Sequence, residues 1–151
     1  WETETGKANF TVPGGLEADP DMRSNSRDVL DLITLRSNDQ FNTTIYGYDD
    51  RFRGVKGTRL VLFMNGNDME RLGLADGETV DLSADADDEF LREVSGLRVI
   101  RYGIPEGNVG GYYPELNALI PLWHCDEQAK TPAAKAIPVR IRKGTPIAVA
   151  D

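Results

Sequence analysis

The chain has 151 residues and 16.7 kDa, with 17 Lys and Arg against 25 Asp and Glu, a formal net charge of −8 at pH 7 and a pI near 4.7. That is the length of one ordinary domain, and 40% hydrophobic with 8% aromatic residues supplies a core and excludes a disordered, collagen-like or coiled-coil chain. No apolar run reaches the ~18 to 20 residues of a membrane-spanning helix, and the acidity counts against phosphate-rich nucleic acid, so neither membrane insertion nor nucleic-acid binding is expected.

The chain opens on Trp1 with no basic segment leading into an apolar one, so no secretory signal is read and a cytoplasmic piece of a longer polypeptide is expected. Residues 1–28 read as an exposed connector, punctuated by Pro13-Gly14-Gly15, with a first strand at 8–12. Residues 29–151 read as the folded body. Its short Val-, Ile- and Leu-rich runs predict strands at 29–36, 58–64, 79–83, 97–102, 118–122 and 137–142, a mainly β protein. The runs at 60–63 and 97–100 are too continuously apolar for a sheet with one wet face and point to a closed barrel or a sandwich core.

One helix is predicted after Met64. Asn65 to Asp68 offer capping oxygens, Met69, Leu72 and Leu74 follow at helical spacing, and Gly73 is placed to end it before a turn at Asp76-Gly77. A second helical stretch is read near 88–94. Two segments, 37–57 and 103–117, carry no recognisable strand or helix, and loops of that length in a compact domain are usually functional or disordered. Phe41, Ile45, Tyr46, Tyr48 and Phe52 give the first too much apolar content for a disordered linker, so it is read as an ordered binding loop.

Charge is segregated. Residues 36–59 hold five cations against three acids, a net +2, whereas residues 65–93 hold ten acids against two cations, a net −8. A locally basic loop on an acidic domain suits contact with phosphate.

A single histidine, His124, and a single cysteine, Cys125, exclude an intrachain disulfide and a four-ligand structural zinc. No Gly-x-Ser-x-Gly elbow and no Gly-Ser dipeptide is present, so neither a serine hydrolase nor a self-processing pyruvoyl enzyme is supported. His124 and Cys125 are read as structural, and any catalysis as dependent on a cofactor.

Three strings hold the candidate binding residues. Thr34-Leu35-Arg36-Ser37-Asn38-Asp39-Gln40-Phe41-Asn42-Thr43-Thr44 begins at the end of a strand and combines a guanidinium, carboxamides, hydroxyls and an aromatic ring. Carboxamides suit the mixed donor and acceptor edge of a heterocycle, and Arg36 with the threonines suits a pyrophosphate. A polar turn whose side chains satisfy their own backbone fits the same residues. Tyr112-Tyr113-Pro114-Glu115-Leu116-Asn117 places Asn117 just before an apolar run, aimed at a ligand or simply at a rim beside packing tyrosines. Thr131-Pro132-Ala133-Ala134-Lys135 offers one lysine, an anion contact or a solvated surface group.

Taken together and in order, Gly6-Lys7-Ala8-Asn9-Phe10, the Thr34 to Thr44 string continuing through Ile45-Tyr46-Gly47, Met64-Asn65 to Gly73-Leu74 with Asp76-Gly77-Glu78, Tyr113-Pro114-Glu115-x-Asn117-x-Leu119-Ile120-Pro121-Leu122 and Thr131-Pro132-Ala133-x-Lys135 resemble the C-terminal domain of molybdopterin oxidoreductases. The similarity is greatest to the formate dehydrogenase alpha-subunit-like branch and covers nearly the whole chain. It implies a double-psi β-barrel with one or two short helices and long rim loops. It implies as cofactor a bis(molybdopterin guanine dinucleotide), or bis-MGD, with molybdenum or tungsten. The implied contacts are Arg36, Asn38, Gln40, Phe41, Asn42, Thr43 and Thr44 in one loop, Tyr113, Glu115 and Asn117 in a second, and Lys135 as a late basic contact.

The same resemblance places the metal ligand, the iron-sulfur cysteines and the substrate pocket in catalytic domains upstream in the same polypeptide. No catalytic residue and no metal ligand is then expected here, and the fragment alone would be inactive. An alternative of a different class is a double-psi barrel serving as a protein-interaction or adaptor module, with the acidic 65–93 segment as its docking face.

Overall fold

A computed structural model describes residues 2–10, 12, 26–41, 47–87, 89–126 and 128–144. Among them the strands are β1 (Val29–Leu35), β2 (Asp49–Asp50), β3 (Val55–Lys56), β4 (Val61–Met64), β5 (Thr79–Ala84), β6 (Glu93–Arg101), β7 (Asn108–Tyr112) and β8 (Ile137–Lys143). Helix α1 (Gly66–Leu72) follows β4, and a 3-10 helix (Glu115–Leu119) follows β7. Six strands close into a barrel in the order β1-β7-β4-β6-β5-β8, while β2 and β3 form a separate hairpin. The pairs β1 with β7 and β4 with β6 run parallel, and the remaining pairs are antiparallel. This is the double-psi barrel that the sequence implied.

The continuous apolar run of β4 has a direct explanation. All four of its residues are buried, because the strand is covered on both faces. Leu62 and Met64 point into the barrel with Leu30, Leu32, Val80, Leu82, Leu97, Val99 and Val109. Val61 and Phe63 face outward into a second cluster with Val55 and Tyr112, edged by Leu35 and Ile100. Val55 comes from the β2–β3 hairpin, which thereby covers this part of the barrel's outer wall, whereas Phe41, Tyr48 and Phe52 of the same segment stay exposed. At full burial each such side chain contributes about 1.5 to 3 kcal/mol.

Helix α1 forms as its sequence directs. Asn65 accepts from the Asn67 amide at 2.8 Å, and Gly73 ends the helix with φ of 65°. Gly77, with φ of 81°, turns the chain into β5.

Four expectations need correction. Strand β7 occupies a stretch read as loop, because Gly110-Gly111 lacks the side-chain signal of a strand. Glycine is required there, since a Cβ on Gly111 would lie 2.1 Å from Leu116 Cδ1 and 3.0 Å from the Val61 carbonyl oxygen. Instead of a strand at 118–122 the chain forms the 3-10 helix. Leu116 and Leu119, three residues apart, fall on one side of it and are both fully buried, and Pro121 lacks the N–H that a central strand donates. Near 88–94 no helix exists among the described residues; Glu93 and Val94 already belong to β6. The described residues of the 8–12 segment likewise form no strand.

Gly111→Ala is expected to destabilise the chain by about 2 kcal/mol through overpacking against Leu116 and the β4 backbone. The urea midpoint should fall with its slope unchanged. An unaltered midpoint would mean that the 3-10 helix does not press on β7 as described.

Strand polarity sorts the loops between two ends of the barrel. Since β1 and β7 finish where β4 and β6 begin, the segments after β1, before β4, after β5, after β7 and before β8 all emerge at one end. Helix α1, the Asp76-Gly77 turn and the 102–107 turn lie at the other.

Candidate functional site

All the described candidate residues stand at the first of these ends. Thr34, Leu35, Arg36, Tyr113 and Lys135 line one open cleft of about 370 Å³. Three of the contacts expected from sequence are thereby brought together from segments up to a hundred residues apart. Arg36 directly follows β1, Tyr113 directly follows its parallel partner β7, and Lys135 stands in the lead-in to β8. The Thr34 amide and hydroxyl both donate to the Ala134 carbonyl, at 3.2 and 3.0 Å, and Lys135 Nζ donates to the Thr34 carbonyl. Two cations therefore stand on one small cleft in a chain of net charge −8.

Behind the cleft lies a buried polar network centred on Arg59, whose side chain is 4% exposed. Its guanidinium donates to Ser37 Oγ at 2.6 Å, to Gln40 Oε1 at 3.1 Å, to the Tyr113 carbonyl at 2.8 Å and to both Glu115 carboxylate oxygens. It also lies over the Tyr112 ring at 4.9 Å. Gln40 accepts from the Ser37 amide at 2.9 Å and donates to the Tyr113 carbonyl at 2.8 Å. Gln40 and Glu115 thus face inward, clamping the loop after β1 to the segment after β7. Sequence reasoning missed Arg59 as a member of this end; the available signal was a lone arginine set directly before the apolar run of β4.

The other expected residues are distributed as follows. Asn38 Nδ2 donates to Asp39 at 2.6 Å, Asp39 has φ of 62°, and Phe41 is 61% exposed. Asn42, Thr43 and Thr44 lie outside the described residues. Asn117 sits in the 3-10 helix, and its Oδ1 is buried with no hydrogen-bond partner among the described residues. Leaving a buried acceptor unmet is costly, so rotating that amide toward a ligand breaks no bond to Oδ1 and satisfies it.

The β2–β3 hairpin is pinned beside the cleft by Asp50, 3% exposed. The Tyr112 hydroxyl donates to it at 2.6 Å and Arg53 at 2.7 Å, while Arg53 also donates to the Arg36 carbonyl at 3.2 Å. Burial raises the Asp50 pKa, but the bonds from Tyr112 and Arg53 outweigh it and bring the carboxyl below its ordinary value. Burial first, then the adjacent carboxylate, pushes the Tyr112 hydroxyl above its usual range, so it stays a donor.

A larger cleft of about 480 Å³ opens at the opposite end, beside Arg27, Asp31, Asp68, Arg71 and Glu106. It suits a phosphate group poorly. Three of those five side chains are carboxylates, and Asp68 already accepts from Arg71 at 2.8 Å and the Gly107 amide at 2.7 Å. Among the described residues no cluster of three or more His, Cys, Asp or Glu could hold a metal ion, and no helix is long and apolar enough to cross a membrane.

The closed barrel carries at one end a cleft flanked by two cations, a charge pattern that suits a phosphorylated ligand. Residues 30–138 match the molydopterin dinucleotide binding domain, and the chain belongs to that family, whose ligand is a molybdopterin-type cofactor. It is similar to an uncharacterized oxidoreductase of Mycobacterium tuberculosis strain H37Rv, 47% identical over 146 residues, which takes in 93% of this chain and 18% of that protein. It is also 40% identical over 143 residues to Protein YdeP of Escherichia coli K12, covering 93% of this chain and 19% of the relative. The chain thus spans about a fifth of the length of the curated relatives it matches.

Proposed function

We propose that this chain is the dinucleotide-binding domain of a cytoplasmic, formate dehydrogenase-like oxidoreductase. It holds the pterin and guanine-dinucleotide part of a bis-MGD cofactor carrying molybdenum, with tungsten as the alternative metal. The observation that carries the reading is the cleft itself, where Arg36, Tyr113 and Lys135 meet at the end that also bears Asn117. These residues fit the group. Arg36 and Lys135 match pyrophosphate charge, the Tyr113 ring offers a stacking face to a heterocycle, and the Asn117 amide, with its unmet acceptor, matches a purine's donor edge.

The cofactor, when bound, supplies the redox chemistry. This chain's residues bind and orient it. Gln40 and Glu115 serve by holding the two contact loops in register through Arg59, while Asn38, Phe41, Asn42, Thr43 and Thr44 supply further contacts to the ligand. An iron-sulfur cluster and the metal's protein ligand belong to the remainder of the polypeptide, and formate is the first substrate to screen.

The test is metal and nucleotide content of the full-length protein purified without oxygen. About two GMP released per molybdenum or tungsten atom is expected from a bis-dinucleotide cofactor. Absence of both, from a host that makes the cofactor, would overturn the proposal. Arg36→Ala and Asn117→Ala are each expected to lower that content about tenfold while leaving the fold intact. Wild-type content in both variants would remove the roles assigned to these residues.

A further inference from the structure

The candidate contacts stop short of the β2–β3 hairpin, yet the hairpin is bonded to one of them and to the chain neighbour of another. In Asp49-Asp50-Arg51-Phe52-Arg53-Gly54 an arginine follows an aspartate by three residues, and the two side chains meet inside the turn. Asp50 Oδ1 accepts from the Phe52 and Arg53 amides at 3.1 and 3.2 Å, which closes the tip, and Gly54, with φ of 68°, turns the chain into β3. Asp50 Oδ2 accepts from Arg53 Nη1 at 2.7 Å and from the Tyr112 hydroxyl at 2.6 Å. The Arg53 guanidinium also lies 5.9 Å from the centre of the Phe63 ring, which meets Tyr112 edge to face. A planar cation held by a carboxylate and set over a ring has little freedom left.

The same Nη1 donates to the Arg36 carbonyl at 3.2 Å. There the chain has just left the sheet. The Tyr113 amide donates to the Leu35 carbonyl at 2.9 Å, joining the ends of β1 and β7, and Arg36 is the next residue. The bonds therefore form a closed circuit, from Arg36 through Arg53, Asp50 and Tyr112 to Tyr113 and back through Leu35. Two of its members, Arg36 and Tyr113, line the cleft.

We propose that Arg53 is a positioning residue for ligand binding: held by Asp50, it fixes the Arg36 backbone and so sets how the Arg36 guanidinium meets the pyrophosphate of a nucleoside diphosphate. The proposal rests on the reading above for the identity of that anionic group. Arg53's own charge is matched by Asp50, so its part is to aim Arg36, and the hairpin becomes a further element of the site beside the two contact loops and the lead-in to β8. Arginine is required for this. A lysine ammonium ends short of the place that Nη1 occupies and can follow only one of the two partners, and the carboxylate, being charged, holds it more strongly than the carbonyl does.

The experiment uses Arg53→Lys, which keeps a cation beside Asp50 and leaves no carboxylate unpaired, in the full-length protein from a host that makes no molybdopterin, with GDP as the probe. Arg53→Lys is expected to weaken GDP binding about tenfold, and Arg36→Ala with Arg53→Lys to weaken it no further than Arg36→Ala alone, because a residue that acts through another has no effect once the other is gone. In the same samples without GDP, hydrogen exchange of the peptide covering residues 34–41 should quicken about tenfold in Arg53→Lys, while peptides from β6 exchange as in the wild type. GDP affinity unchanged by Arg53→Lys would overturn the proposal. So would losses that add in the double variant, which would make Arg53 a contact or a support in its own right, or exchange at 34–41 that stays at the wild-type rate. Quickened exchange at 34–41 in a protein whose wild type does not bind GDP would leave Arg53's hold on Arg36 standing while the reading of the ligand fails.

Discussion

Arg59→Met is expected to lower the stability of the 151-residue chain by about 3 kcal/mol, read from urea unfolding. Methionine keeps most of the buried stem, so the loss isolates the charge and its bonds. Ser37, Gln40 and the Tyr113 carbonyl lose their shared donor, and Glu115 is left as an unpaired carboxylate at a site where its side chain is only 22% exposed. That partial exposure places the cost at the lower end of the range for broken buried pairs, because water can reach one face of Glu115. Adding Glu115→Gln to Arg59→Met should restore part of the loss, and Arg59→Lys should fall between, since one ammonium cannot span the carboxylate and the Tyr113 carbonyl together. In the full-length protein Arg59→Met should also lower molybdopterin content, because both contact loops hang from that guanidinium. A urea midpoint unchanged by the substitution would show that the clamp is not formed in solution.

The second large effect concerns Asp50. Its pKa is lowered in the folded chain by bonds from Tyr112 and Arg53 that outweigh its burial. The stabilisation it gives is therefore present above its unfolded pKa of about 3.9 and is lost as pH falls through that value toward the lower folded one. Asp50→Asn should cost about 2 kcal/mol at pH 7, the scale of hydrogen bonds to a charged group, and progressively less as the solution is made more acid. Glu78 and Asp81 are also held below their ordinary values, by the Ala75 and Gly96 amides first, so both proteins retain some acid sensitivity. The informative quantity is the difference between wild type and variant across pH 3 to 7, which should shrink with acidification. A difference constant over that interval would exclude Asp50 as the titrating group.

How much of this was legible beforehand depended on what each signal reports. Helix α1 was readable because Asn65 and Gly73 bracket it with backbone requirements that few other residues meet. The continuous apolar run of β4 announced a strand covered on both sides, and the hairpin bearing Val55 supplies the second cover. Strand β7 was not readable, because Gly110 and Gly111 are selected for close approach to neighbouring chain and carry no periodic pattern. The 3-10 helix was mistaken for a strand because Leu116, Leu119 and Ile120 are apolar for a reason that period-two counting does not see: they plug the end of the barrel. In the candidate site, the motif strings carried Arg36, Tyr113 and Lys135 to the same cleft. What they did not reveal was the division between side chains that face the cleft and side chains, Gln40 and Glu115, that face Arg59. Polar residues look alike in sequence whether they meet a ligand or one another, and only the fold separates the two.

The order of strands around the barrel also governs how the chain reaches this structure. β1 lies between β7 and β8, and every other strand of the barrel is made before either of those neighbours exists. The first strand of the barrel must therefore wait, apolar and unpaired, until nearly the entire domain has been synthesised. Folding dominated by such distant pairings is slow and leaves sticky edges open meanwhile. The barrel should accordingly close late and in one step, with β8 as the latch, and a nascent chain stalled before residue 137 should engage chaperones that the finished domain ignores.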